Sequence, residues 1–301
     1  MTQITMTGAE NRAILFMLAA ILAFSVMDAT VKGLVPDVGV VPALWARYAG
    51  QMLVVTLFVA PRLGSVVRTR HLPTQVLRST VLMGATGFFF TGVSLIPLTE
   101  AVALMSVNPV LITLGAALFL GEKLGPRRIA GITIAIVGAL IVIRPGSAVF
   151  SPAALLPLAA ACCYSAYALL TRSLGADEDV WTSLFYTGVV GTLVLTAIIP
   201  FVWVGLDAFD ILRMLLIAAA GTTGQLFMIR AFTEGEAAML APYAYCGLVL
   251  SAVWGLVLYS EVPDPWTIVG AIVISGAGLY VWYRETRQRR GPCPPPPSLH
   301  D

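Results

Sequence analysis

The chain has 301 residues, of which 58% are hydrophobic and 11% charged, with a formal net charge of +2. Soluble domains carry about 25% charged residues, so this chain cannot cover a globular surface with polar groups. It needs hydrocarbon as solvent, and so small a net charge gives no electrostatic footprint for nucleic acid.

Spanning a bilayer takes about 20 apolar residues at 1.5 Å each. The apolar runs predict ten spans at 13–33, 40–60, 76–98, 100–121, 127–144, 153–172, 180–204, 211–231, 236–260 and 265–284. The fifth and eighth have the shortest uncharged runs. Short loops with turn residues separate the spans, among them Leu124-Gly125-Pro126 and Arg144-Pro145-Gly146-Ser147. The first span exceeds the roughly 7–15-residue apolar region of a cleaved signal and is read as a retained helix. Residues 291–301 contain Pro294 to Pro297 and are read as an extended terminus without assigned function.

The two halves match. Leu18-Ala19-Ala20, Ser25 and Lys32 recur as Leu158-Ala159-Ala160, Ser165 and Arg172. Tyr48 and Gly50 recur as Tyr186 and Gly188, and Glu122 and Gly131 as Glu261 and Gly270. Five spans per repeat is an odd number, so the second copy must enter the membrane from the opposite side.

Charge tests this independently, because Lys and Arg concentrate on the cytoplasmic side. With the N-terminus inside, fourteen of the 18 Lys and Arg residues are cytoplasmic, including Arg62, Arg68, Arg70 and Arg78 after the second span. Lys32, Arg144 and Arg213 fall outside and Arg47 lies within a span. The basic loop Lys123–Arg128 corresponds to the acidic stretch Glu261–Asp264 in the second half, as inversion requires. Asp177-Glu178-Asp179 is acidic yet placed inside, but acidic residues weigh little in this rule.

The expected fold is therefore an all-α integral membrane protein of ten transmembrane helices, two inverted five-helix repeats with both termini cytoplasmic. The expected organisation is a cytoplasmic N-terminus (1–12), a first repeat (13–146), a second, inverted repeat (147–284) and a basic, Pro-rich cytoplasmic tail (285–301).

Lys32 at the end of the first span, Pro42 with Arg47 in the second, Gly121-Glu122 ending the fourth and Gly131 with Gly138-Ala139 in the fifth carry a resemblance. Ser260-Glu261 and Gly270 repeat the last element. In these residues the chain resembles the drug/metabolite transporter superfamily in its ten-helix EamA-domain form, over all but the tail, and looks most like the YddG type of aromatic amino-acid exporter. The resemblance implies outward movement of amino acids, nucleotide precursors or drugs through a cavity between the halves, a substrate drawn from small metabolites and an inner-membrane location. It implies no cofactor. The expected state is a monomer, with a homodimer open.

Inverted repeats place substrate near the midplane, at the repeat interface, and broken helices mark cavities. Asn108-Pro109 in the fourth span and Pro242 in the ninth are candidate helix breaks; the plainer reading is two tolerated kinks. Asp28 and Arg47 are charges within spans. Asp28 and Lys32, four apart, share a helix face, and Arg47 enters from the same side. They form either an ion-pair cluster joining the first two spans or a vestibule that contacts a zwitterionic substrate or carries a proton. Asn108, Gln225, Tyr243 and Tyr245 are the preferred cavity contacts, with Phe89 and Tyr164 as further aromatic candidates, since aromatic faces suit an aromatic or medium-sized amino acid. Glu100 is expected to stabilise the start of the fourth span through the helix dipole. Glu122 and Glu261 are read as structural, and Gly131, Ala135, Gly138 and Ala139 as close-packing positions.

There is no G-x-x-x-x-G-K-[ST] phosphate loop, H-E-x-x-H or G-x-S-x-G. Cys162, Cys163, Cys246 and Cys293 show no metal spacing, and His71 and His300 lie outside the spans. No metal site and no enzyme is expected. A passive facilitator remains an alternative to a coupled exporter.

Overall fold

In the computed structural model, the described residues are 8–120, 126–146, 151–174, 178–235 and 237–289. Residues 290–301 of the tail and Glu122 lie outside them, and so does the side chain of Arg172. The helices are α1 Gly8–Val38, α2 Val40–Val59, α3 Leu63–Val66, α4 Leu72–Leu95, α5 Leu98–Met105, α6 Asn108–Leu120, α7 Pro126–Ile143, α8 Leu155–Leu174, α9 Val180–Val202, α10 Ala208–Glu234, α11 Ala237–Leu240, α12 Cys246–Tyr259 and α13 Pro265–Arg289. Among the described residues, nine helical segments are long and apolar enough to cross a membrane, and Ile129–Ile143 is a shorter tenth. This is a multi-pass membrane protein. Its outward surface is apolar, with Phe119 79% and Phe201 86% exposed, which suits lipid contact.

Local chemistry sets the helix ends. Gly39, at φ +86°, makes the single-residue turn between α1 and α2, a conformation that favours glycine. Asp207 and Asp210 form a reciprocal capping box at the start of α10, and the Asp179 carboxylate accepts from the Trp181 amide at the start of α9. The predicted fourth span is two helices, α5 and α6, separated at Ser106–Val107. Pro109 is the second residue of α6, where its missing N–H costs no intrahelical bond. The ninth begins as α11 and a 3-10 turn, Ala241–Tyr245, that contains Pro242.

Helices of one half pack on helices of the other. α1 packs on α10 and α4 on α8, α2 on α9, α7 on α13, α1 on α12 and α6 on α8. Exchanging the two halves by the sequence match converts α1–α10 into α8–α4 and α1–α12 into α8–α6, and it leaves α2–α9 and α7–α13 as themselves. Small residues allow these approaches. A Cβ on Gly188 would lie 3.0 Å from the Met52 backbone, and one on Gly270 would lie 2.7 Å from the Gly138 carbonyl oxygen. The largest core cluster joins α1, α2, α4, α5, α7 and α13 through Leu34, Tyr48, Phe90, Leu104, Val142 and Ile274.

One end of the bundle, the Lys32 end, gathers Asp37, Ile96, Arg144, Arg213, Glu261 and Asp264. The opposite end holds the Arg12–Glu234 pair and the Thr69–Glu178 hydrogen bond. Arg78, counted above among the cytoplasmic charges at the edge of the third span, belongs to α4 and is buried, 2% exposed. Its Nη2 donates to the Ser183 carbonyl at 2.6 Å and to Thr187 Oγ1 at 3.0 Å, and Nη1 donates to Thr171 Oγ1 at 3.3 Å. The guanidinium lies 5.1 Å from the centre of the Tyr167 ring. The polar faces of α8 and α9 thus draw this cation inward, where charge counting placed it with the cytoplasmic residues.

Candidate functional site: a cavity at Asp28

A cavity of about 190 Å³ lies between α1, α5, α10 and α12. Its walls are Met17, Ile21, Phe24, Ser25 and Asp28 of α1, Leu98 and Val102 of α5, Met228 of α10, Ala244 of the 3-10 turn, and Gly247 and Ser251 of α12. Met17 to Asp28 is eleven residues, so the α1 wall runs about 16 Å at 1.5 Å per residue, from Asp28 towards the Arg12 end.

Asp28 is the one ionisable side chain in this wall. The wall around it is held from α12. Trp254 Nε1 donates to Ser25 Oγ at 3.1 Å, and the Tyr259 hydroxyl donates to the Ala29 carbonyl at 2.6 Å. These bonds fix the α1 backbone on both sides of Asp28. Among the described residues the Asp28 carboxylate has no ion pair and no hydrogen bond, in contrast to Lys32 and Arg47. A charge at the centre of a membrane helix costs about 2.5–3.5 kcal/mol on insertion scales, which makes this ionisable side chain the candidate contact on the cavity wall.

The expected Asp28–Lys32–Arg47 ion-pair cluster is replaced by another arrangement. Lys32 Nζ pairs with Glu261 Oε1 at 2.8 Å and donates to the Ile96 and Val93 carbonyls at 2.7 and 2.9 Å. Glu261 Oε2 accepts the Leu98 amide at 2.9 Å. A cation thus closes the carbonyl end of α4 while an anion closes the amide end of α5, each where the helix dipole favours its sign. Those helix ends outcompete Asp28 for Lys32. Arg144 with Asp264 at 3.1 Å and Arg213 with Asp37 at 2.7 Å add two ion pairs at the same end. All three pairs join a residue before position 147 to one after it.

Arg47 Nη1 donates to Thr86 Oγ1 at 3.1 Å, and its guanidinium lies 5.7 Å from the Tyr48 ring centre and 5.9 Å from that of Phe90. Its stem passes Gly221 of α10 beside Met27, the residue before Asp28.

The other candidates are not among the residues that line this cavity. Asn108 accepts from Ser165 through its carbonyl at 3.5 Å, and its Oδ1 is buried without a partner. Tyr245 abuts Gly278 of α13. Tyr243 packs with the cluster of Met17, Ile21 and Leu240. Phe89 is in the main core, and the Tyr164 ring lies tilted against that of Tyr167, with centres 5.7 Å apart. Gln225 is half-buried on α10, one residue from Gly224, which packs on Phe24. Glu100 is in the first turn of α5. Sequence reasoning missed Arg78, Trp254 and Tyr259. The signal for Arg78 was the polar stripe Gln75, Ser79 and Thr86, which lies on one face of an otherwise apolar helix.

Residues 11–144 and 151–283 each match the EamA-like transporter family. The chain belongs to this family of transporters. It is 30% identical over 304 residues to the riboflavin transporter of Rhizobium johnstonii, covering 97% of this chain and 99% of that one. It is 31% identical over 269 residues to the pseudopaline exporter of Pseudomonas aeruginosa, covering 87% and 92%. It is 24% identical over 241 residues to the S-adenosylmethionine uptake transporter of Rickettsia prowazekii, covering 80% and 82%. A solved structure at 22% identity superposes with a TM-score of 0.63 over 92% of this chain and 99% of the other, a likeness of fold. The family supports small-metabolite transport and a non-enzymatic role. The three relatives carry different substrates, and none is named as an aromatic amino-acid exporter.

Proposed function

We propose that this chain is a secondary transporter that moves small metabolites across the inner membrane by alternating access, with neutral and aromatic amino acids as the class to test first and export as the direction. The observation that carries the reading is the Asp28 cavity, walled by helices of both matched segments and lying to one side of three ion pairs that join them. By the positive-inside rule the Lys32 end faces outward and the Arg12 end faces the cytoplasm. The two segments are read as inverted repeats, so rocking of one on the other would open the ends in turn. The exchange symmetry of the helix packing supports this. Asp28 is the proposed contact for substrate or coupling proton.

The test is efflux from proteoliposomes preloaded with labelled phenylalanine, leucine, riboflavin or S-adenosylmethionine, against protein-free liposomes. Selective loss of the amino acids, reduced at least about tenfold by Asp28→Asn as expected when a charge-assisted contact is lost, is the predicted result. If folded protein moves none of the four, the reading fails. If Asp28→Asn transports normally up a gradient, Asp28 has no coupling role.

A further inference from the structure

Among the described residues, the polar side-chain atoms that the Asp28 cavity leaves to a ligand all accept hydrogen bonds. Met17, Ile21, Ser25 and Asp28 recur every three or four residues, so one stripe of α1 lines the space. The Ser25 hydroxyl donates to the Leu22 carbonyl at 2.8 Å and already accepts from Trp254 Nε1. On the α12 wall, the Ser251 hydroxyl donates to the Leu248 carbonyl at 2.8 Å. A hydroxyl has one hydrogen and two lone pairs. Both hydrogens are therefore committed to helix carbonyls, while one lone pair of Ser25 and two of Ser251 remain. Nearby amides are committed too. The Leu98 amide, at the start of α5, donates to Glu261 Oε2 at 2.9 Å, and α12 continues from the 3-10 turn Ala241–Tyr245, so it does not start as a bare helix end. No cation lines the described wall. Lys32, one turn from Asp28, places its three ammonium hydrogens on Glu261, Val93 and Ile96. Arg47 is not in the wall and donates to Thr86.

We infer that this cavity selects its ligand by a cationic nitrogen, which meets the Asp28 carboxylate and the serine oxygens, on an uncharged apolar body. An ammonium brings three donors and no acceptor, the complement of a wall that offers a carboxylate and lone pairs. Its bond to Asp28 is charge-assisted at both ends. A carboxylate in the same place would leave water, find no side-chain donor among the described wall residues and meet Asp28 as a like charge. The rest of the wall accepts the body of the molecule. Met17 and Met228 supply thioethers and Phe24 a ring, polarisable groups that tolerate an adjacent cation as well as apolar contact. The volume of about 190 Å³ is below the ~300 Å³ at which drug-sized pockets begin, so in this conformation the body is compact. For an amino acid, the ammonium is the recognised group and the carboxylate weakens binding. This deepens the transporter reading above, on which it rests for its purpose, while its test reads binding alone.

The experiment labels a single cysteine, Ala244→Cys in the cavity wall, in a background with the native cysteines changed to serine, reconstituted in nanodiscs. Protection from a maleimide is titrated with phenethylamine and 3-methylbutylamine, with the alcohol and the carboxylic acid of the same skeletons, and with phenylalanine and leucine. The amines should protect, with the alcohols and the free amino acids about 10- to 100-fold weaker and the acids weakest. Asp28→Asn should bring the amines down to the level of the alcohols and leave the alcohols unchanged, which separates lost recognition from misfolding. Asp28→Glu should keep part of the preference for the amines. Ser251→Ala should weaken the amines by less than about tenfold, as for one neutral acceptor. The inference is overturned if the acids or the free amino acids protect as well as the amines, if Asp28→Asn binds the amines as the parent does, or if no amine protects folded protein. Amines that protect in this pattern while nothing moves in proteoliposomes would keep the inference and sink the transporter reading. Flux of metabolites without a cationic nitrogen, and no protection by the amines, would do the reverse.

Discussion

Glu261→Ala is expected to destabilise the folded protein by about 2–3 kcal/mol. Removing one partner of a buried ion pair costs ~3–5 kcal/mol, and the figure is reduced here because the Glu261 side chain keeps 23% exposure. The substitution leaves Lys32, whose side chain is 10% exposed, with carbonyl partners only. It also strips the Leu98 amide of its acceptor at the start of α5. The double replacement Lys32→Met with Glu261→Gln removes both charges, and Gln can still accept from Leu98, so it should recover most of the loss. Equilibrium unfolding in mixed detergent micelles reads both. Equal destabilisation by the single and double variants would mean that the pair itself contributes nothing and that Lys32 serves only to close α4.

The second large effect is at Arg78. Arg78→Ala should cost about 2–4 kcal/mol, because it deletes three hydrogen bonds made by a buried charge and the contact with Tyr167. Arg78→Lys keeps the charge but not the planar fork that reaches Thr171 on α8 and Ser183 and Thr187 on α9 together, so about half of the loss should remain. The same unfolding measurement tests it. A wild-type midpoint for Arg78→Ala would show that α4, α8 and α9 hold together through apolar and small-residue contacts without this bridge.

The sequence reading followed the physics that acts locally. Hydropathy located the spans because lipid demands about 20 apolar residues whatever the partner helices do. Gly131 and Gly138 were legible as close-packing positions because only small residues permit such an approach, while the helix they meet, α13, appears only in the structure. Side-chain partners were less accessible. Asp28 and Lys32 share a helix face, so local spacing suggested a pair, but the ends of α4 and α5 together with Glu261 offered Lys32 a better arrangement, built from the far half of the chain. Repeat matching had already set Glu261 apart as structural without revealing what it binds. Arg78 was counted with the cytoplasmic charges because it lies at a span edge beside Arg68 and Arg70. Its burial depends on Ser183 and Thr187, which no pattern around residue 78 announces. The cavity was legible only through Asp28. The rest of its wall is ordinary apolar and small residues, distinguishable from lipid-facing ones only once the helices are packed.

Alternating access requires the two halves to part at the Lys32 end, where Arg213 meets Asp37 at 2.7 Å. The direct measurement joins that contact with a short disulfide-containing bis-thiosulfonate cross-linker between Asp37→Cys and Arg213→Cys, in protein whose native cysteines are serine. Flux is then followed for the labelled metabolite that moves in the proteoliposome assay. Cross-linking should stop transport, reduction should restore it, and either single cysteine should be unaffected by the reagent. Undiminished transport by fully cross-linked protein would contradict alternating access at this end.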